Sequence, residues 1–234
     1  MSLSRASLAA LNLGEASGIE RLADVALQQS TRAFDTRRYG TDALATLSGD
    51  EGHVGYLGHL MLVLGAECAL GSSRHRGQAD AVAHALRRRF LAAPFGLVDT
   101  YPGEQWIPDN AAALAGVELY ARCRGQPSIA FVGRRWPKDR EGRLMFTRLA
   151  QPRGSGAGWN SIYLPLIDAD FAIEQYARAR ASFEVQLPFG LAAFREFPRG
   201  VDGSGDVDSG PLIFGLSPSG TGFAIAGADG RTVL

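Results

Sequence analysis

Four stretches of this 234-residue chain gather the side chains that acid–base chemistry and ligand binding use. Residues 48–59 carry Asp50, Glu51, His53, Tyr56 and His59 among glycines, and residues 101–110 carry Tyr101, Glu104, Trp106, Asp109 and Asn110. Residues 154–163 hold Trp159 and Tyr163 behind a glycine-rich start, and residues 203–211 hold Asp206, Asp208 and Ser209. Carboxylates, a histidine and aromatic rings brought to one place make a site for an uncharged ligand bearing hydroxyls or a ring. Gly52, Tyr56 and His59 follow one another at the helical spacings of four and three. His59 therefore shares a face with a phenol, and imidazole is the side chain best suited to exchange protons with a hydroxyl at physiological pH. The competing reading of His59 is a hydrogen-bonded histidine in an apolar helix.

Asp109 comes directly after Pro108, a combination that starts helices, and the same position suits a catalytic acid. Hydrolysis of a glycosidic bond needs two carboxyl groups roughly 5–10 Å apart across a cleft. Asp109 with Asp206 or Asp208 is the pair expected here, with Glu104 in reserve. Asp208 and Ser209 also stand where a helix before or at Pro211 would be capped. Too few further ligands surround Asp206 and Asp208 for a metal site, so neither a metal nor a cofactor is expected. Trp106, Trp159 and Tyr163 can form a stacking wall for a sugar or a terpene, or pack as ordinary core aromatics. Tyr39, Tyr56, Tyr101, Glu104 and Asn110 complete the expected substrate-binding set.

Other chemistries find no support. There is no GxSxG nucleophile motif and no GxxxxGK[ST] phosphate loop, and Lys138, the sole lysine, sits in a polar, turn-like segment unsuited to Schiff-base chemistry. The 24 basic and 24 acidic residues cancel, so no nucleic-acid partner is expected. The run Arg87, Arg88 and Arg89 reads as the solvated face of a helix. Cys68 and Cys123 have no metal-binding spacing and read as small buried apolar residues. No run approaches the roughly 18 apolar residues of a membrane span, and the first residues lack the pattern of a signal peptide. The compartment is left open.

These side chains need helices to hold them. Ile19, Leu22, Ala23, Ala26, Leu27 and Ala33 mark one apolar stripe over about 18–34, followed by a polar turn with Asp35, Arg37, Arg38 and Tyr39. The stretch 50–70 is apolar on nearly every side and predicts a buried helix, whereas 78–92, with Ala79, Val82, Leu86 and Phe90 on one face, predicts an outer one. Residues 108–123 repeat the buried type, and 170–183 present Ala172, Tyr176, Ala179 and Phe183 on one face. A small β-hairpin is expected near 139–147, and a last, glycine-rich helix over about 211–228. Buried and amphipathic helices alternating through short links predict a mainly α protein of helical hairpins, in a ring or a stack, as a single domain over 1–234 with residues 1–17 flexible. Parallel inner helices would bring the four stretches to one end.

The ordered signposts Gly55, Tyr56, Leu57, Gly58, His59 and Leu60, then Trp106, Pro108, Asp109 and Asn110, then Gly158, Trp159 and Asn160 resemble the linalool dehydratase/isomerase-like proteins. The resemblance covers about residues 35–185. It implies an (α/α) barrel, partial or complete, related to the six-hairpin glycosidase toroids, whose loops line a central cavity. It also implies that His59 is the acid/base histidine and that Tyr39 and Asp35 lie near the family's Tyr/Asp pair. The family's cysteines, which would fall between Trp106 and Leu114, are absent. About eight helices are expected, few for six hairpins, so the ring is incomplete, truncated, or closed by a partner chain such as a second copy in a homo-oligomer.

Two functions follow. The first is an enzyme, a hydrolase or lyase, that acts on a neutral small molecule or carbohydrate through His59, Asp109, Asp206 and Asp208. The second is a non-catalytic ligand-binding or assembly domain.

Overall fold

The computed structural model describes residues 16–229, and among these the chain is mainly helical, with nine α-helices and one two-stranded antiparallel sheet. Two compact units divide the chain between Arg135 and Trp136. The expectation of flexibility at residues 1–17 falls outside the described residues, except for Ala16 and Ser17, which open the first helix. No described helix is long and apolar enough to cross a membrane.

The first unit holds α1 (Ala16–Ala26), α2 (Gln29–Tyr39), α3 (Val54–Ala69), α4 (Arg76–Ala92), α5 (Ile107–Arg124) and the short α6 (Phe131–Arg134). The stripe expected over 18–34 is divided between two helices. Gln28 is extended at φ −67°, ψ 145°, and the Arg32 guanidinium takes the Leu27 carbonyl that a continuous helix would have used. The segment expected as a polar turn at 35–39 is instead the last turn of α2, closed by Gly40 at φ 77°, the left-handed residue that ends many helices.

Helix α5 is buried on nearly all sides from Ile107 to Ala121, as its composition predicts. It packs against α3 in parallel. A Cβ on Gly58 would lie 2.8 Å from the Ala113 Cβ, one on Gly65 would lie 2.7 Å from the Gly116 carbonyl, and one on Gly116 would meet the Met61–Leu62 backbone. These small residues let the two backbones approach. Cys68 and Cys123, further along the same two helices, form a disulfide with Cα atoms 6.1 Å apart. Reading them as buried apolar residues is thus corrected: Cys68 is half-buried and Cys123 exposed, and the parallel register brings them together. Between these two helices in sequence, α4 turns Ala79, Val82, Leu86 and Phe90 inward, each larger side chain contributing about 1.5–3 kcal/mol.

The arginine run on α4 is also corrected. Arg89 is buried, and its guanidinium donates to the carbonyls of Thr46, Gly49 and Gly52. Arg88 donates to those of Leu47 and Gly49. A loop whose carbonyls have no strand or helix partners needs donors from elsewhere, and these two side chains supply them. Burial pulls the Arg89 guanidinium below its ordinary pKa.

The second unit holds α7 (Gly154–Ile167), α8 (Ala169–Phe183), β1 (Glu184–Gln186), β2 (Ala192–Phe194) and α9 (Pro218–Asp229). The glycines expected in a loop at 154–158 lie inside α7, where Gly158 faces α9, Gly156 faces the Phe146 ring and Gly154 faces the Arg195 carbonyl. A Cβ on Gly158 would lie 2.7 Å from the Gly220 carbonyl, and one on Gly220 would lie 3.0 Å from Gly154. Further along, Gly227 meets Ser161, so α7 and α9 are also parallel. Asp168 caps α8 by accepting the Phe171 N–H at 3.0 Å, and Ala172, Tyr176, Ala179 and Phe183 face inward. The sheet pairs Val185 with Ala193. Near 139–147 the chain makes a turn with a single bridge, Lys138 to Leu144, in place of a hairpin ladder.

Candidate functional site

Because α3 and α5 are parallel, the segments entering them meet. The Val54 N–H donates to the Asp99 carbonyl at 3.1 Å. The Tyr39 hydroxyl accepts the His53 N–H at 2.8 Å and donates to the same Asp99 carbonyl at 3.0 Å. Gly52 is required at this crossing, since a Cβ would lie 2.6 Å from the Tyr39 oxygen and press on Asp99. His53 turns the chain into α3 in the left-handed region, φ 55° and ψ 21°. Its buried ring stacks on Tyr39 at 3.7 Å, with Nδ1 2.6 Å from the Asp35 carboxylate. Tyr39 and Asp35 therefore serve the loop as fixtures.

On this base stand His59 and Asp109. His59 lies in the second turn of α3 and Asp109 in the first turn of α5. The His59 Nε2 is 3.3 Å from Asp109 Oδ1, within hydrogen-bonding reach. With Asp109 ionised, Nε2 is the donor. The ring is 44% exposed and the carboxylate 24%, so both are partly wet. Asp109 occupies the helix N-terminus, where the first-turn N–H groups favour a negative charge. The pair is a proton donor and acceptor oriented by two rigid helices.

Around it, Glu104 accepts the Trp106 indole N–H at 3.1 Å and lies 3.6 Å from Arg38. Arg38 stands over the Tyr101 ring at 4.7 Å, and Phe34 meets that ring edge-on. The Trp106 backbone N–H is held by the Thr100 hydroxyl at 3.2 Å. Two other expected binding residues are bound internally. The Tyr56 hydroxyl donates to the Ala26 carbonyl at 2.8 Å, and burial pushes this phenol up to about 12. Asn110, fully buried, accepts the Val98 N–H and donates to the Val98 and Trp106 carbonyls. It closes the loop before α5 and has no surface for a ligand.

The remaining expected residues belong to the second unit. Trp159 stacks on Tyr163 at 5.9 Å and meets Phe223 at 4.1 Å with the rings tilted by 40°; Tyr163 is buried. Asp206 is 2.5 Å from Arg153, which also holds the fully buried Glu196. Burial raises the Asp206 carboxyl, and the guanidinium and the Ser209 N–H more than offset it, leaving it below the usual carboxylate range. Such a group keeps its charge and is poorly suited to be a general acid. The Asp208 N–H donates to Asp206 Oδ1 at 3.1 Å, which makes the pair a turn. Neither unit by itself builds the Asp109–Asp206 or Asp109–Asp208 pair.

Sequence reasoning missed Asp35, His53 and Arg89 as positioning residues. Only the glycine at 52 beside His53 hinted at a tight crossing. A second imidazole between carboxylates, His75 with Glu67 at 2.7 Å and Asp24 at 3.0 Å, ties α1 to the α3–α4 link. No protein-family model and no curated protein matches this chain.

Proposed function

We propose that the protein is an enzyme of the helical-hairpin, (α/α) barrel type that uses His59 and Asp109 for acid–base chemistry on a neutral, hydroxyl-bearing small molecule or carbohydrate. The observation that carries this reading is the 3.3 Å approach of a partly exposed imidazole to a carboxylate at the entry of two parallel helices. His59 exchanges a proton with a substrate hydroxyl or leaving-group oxygen. Asp109 orients the ring and stabilises the imidazolium that forms. The parallel pairs α3/α5 and α7/α9, each separated in sequence by an outer helix, support the barrel-type architecture. The ion pair of Asp206 with Arg153 favours lyase or isomerase chemistry at one His–carboxylate pair over hydrolysis by two carboxyl groups.

A second reading is a non-catalytic binding domain. It is favoured by the internal hydrogen bonds that occupy Tyr39, Tyr56 and Asn110. One experiment separates the two: thermal unfolding against a panel of oligosaccharides and terpene alcohols, with product formation followed by mass spectrometry. A ligand that stabilises the fold and is converted supports the enzyme. Stabilisation without product supports the binding domain.

A further inference from the structure

The disulfide between α3 and α5 meets solvent on one side and a small pocket on the other. Cys123 is exposed, with the exposed Arg122 and Arg124 directly before and after it in the chain. Cys68 is half-buried and shares with Ser72, His75, Arg76 and Arg124 the walls of a pocket of about 30 Å³. That is room for about one water molecule, and a sulfur released from the bond needs such room to move away from its former partner. The carboxylate on the pocket wall, Glu67, is already engaged. It faces the His75 ring at 2.7 Å and accepts the His75 N–H at 3.0 Å and the Ser72 hydroxyl at 3.2 Å. Arg76 approaches its nearest acid, Asp80, only to 3.8 Å. Both cysteines lie in the last turn of their helices, where the carbonyl ends disfavour an anion. Arg76 and Arg124 act against that field, and a thiolate beside guanidinium groups is a good leaving group.

We propose that the Cys68–Cys123 bond is a redox latch, opened in the folded protein by a dithiol reductant and closed again by exchange with a small disulfide. A thiolate of the reductant attacks the exposed Cys123 sulfur, the S–S bond breaks, and Cys68 leaves as a thiolate on the pocket side, where it takes up a proton. The second thiol of the reductant then attacks the mixed disulfide. Cys123 is released as a thiol and the reductant departs as its own disulfide, so two electrons and two protons have passed to the protein. Opening the latch frees the far ends of α3 and α5, the two helices that carry His59 and Asp109 near their entry. The latch works whatever the role of that pair.

The test is incubation of the oxidised full chain with dithiothreitol in the absence of denaturant, with free thiols counted by alkylation and mass spectrometry and the unfolding temperature followed in parallel. Both cysteines should become alkylated at a rate proportional to the dithiothreitol concentration, and the unfolding temperature should fall by roughly 8–16 °C. Oxidised glutathione should restore the bond and the temperature together. Arg124→Gln, at an exposed position, should slow reduction by roughly two- to fivefold, and Arg124→Lys, which keeps the charge, should restore most of the rate. A bond that resists dithiothreitol until guanidinium unfolds the chain, a rate independent of dithiothreitol concentration, or equal rates in wild type and Arg124→Gln overturns the proposal.

Discussion

Replacing both cysteines, Cys68→Ala with Cys123→Ala, removes the cross-link between the far ends of α3 and α5 and frees a segment with a sequence separation of 55. In the unfolded chain, closing a loop of that length lowers the entropy by about 14 cal/mol/K, equivalent to about 4 kcal/mol at 25 °C. The folded unit keeps its glycine-mediated helix contacts, so the effect falls mainly on the unfolded state. For a chain of this size, a loss of about 4 kcal/mol lowers the unfolding temperature by roughly 8–16 °C. The assay is thermal and guanidinium unfolding of the oxidised wild type and the double variant, with thiol titration showing no free cysteine in the wild type. A fall of less than about 2 °C would refute the reasoning, because unfolding would then be insensitive to a loop closed across the centre of the first unit.

Three further outcomes follow from the packing and the buried groups. Gly116→Ala places a methyl against the Met61–Leu62 backbone and should destabilise the first unit by about 1–3 kcal/mol, whereas Gly77→Ala in α4, where nothing lies within 4 Å, should be neutral or stabilising by up to about 1 kcal/mol; denaturant midpoints compare them. Arg89→Met strips the donors from the Thr46, Gly49 and Gly52 carbonyls and should cost about 2–4 kcal/mol, with the largest gain in amide exchange at residues 46–53. Burial pushes the Tyr56 and Tyr120 phenols up to about 12. Their folded pKa exceeds the unfolded value of about 10, so their contribution is complete below pH ~10 and is lost as pH rises from there through about 12. Absorbance at 295 nm should show these tyrosines ionising late in the folded protein and near pH ~10 in denaturant; ordinary titration in the folded state would contradict their burial.

The outer and inner helices were legible because burial imposes a period. The inward faces of α4 and α8 consist of the residues their spacing indicates, and α5, rich in alanine and leucine, is buried on nearly all sides. Helix ends and loop fixtures were not legible, for they depend on distant partners. The break at Gln28 requires Arg32 to reach back to Leu27, and the delayed start of α3 requires two arginines from α4 to hold the preceding carbonyls. An arginine that bonds carbonyls across the fold looks, in sequence, like one that faces water. Glycines were similarly ambiguous. Those at 154–158 suggested a loop, but they lie in α7, where Gly158 permits contact with α9 and Gly156 admits the Phe146 ring. In the candidate site, His59 and Asp109 stood out by position within helical patterns, and they are neighbours. Asp206 stood out by composition alone, and a guanidinium 2.5 Å away gives it another role.

Acid–base chemistry at the His59–Asp109 pair is read from turnover, by Asp109→Asn and His59→Gln, of the substrate found in the ligand panel. The kcat should fall by about 10²–10⁴-fold in His59→Gln and by a large factor in Asp109→Asn, with unfolding temperatures close to wild type. Undiminished turnover in both variants would contradict that chemistry.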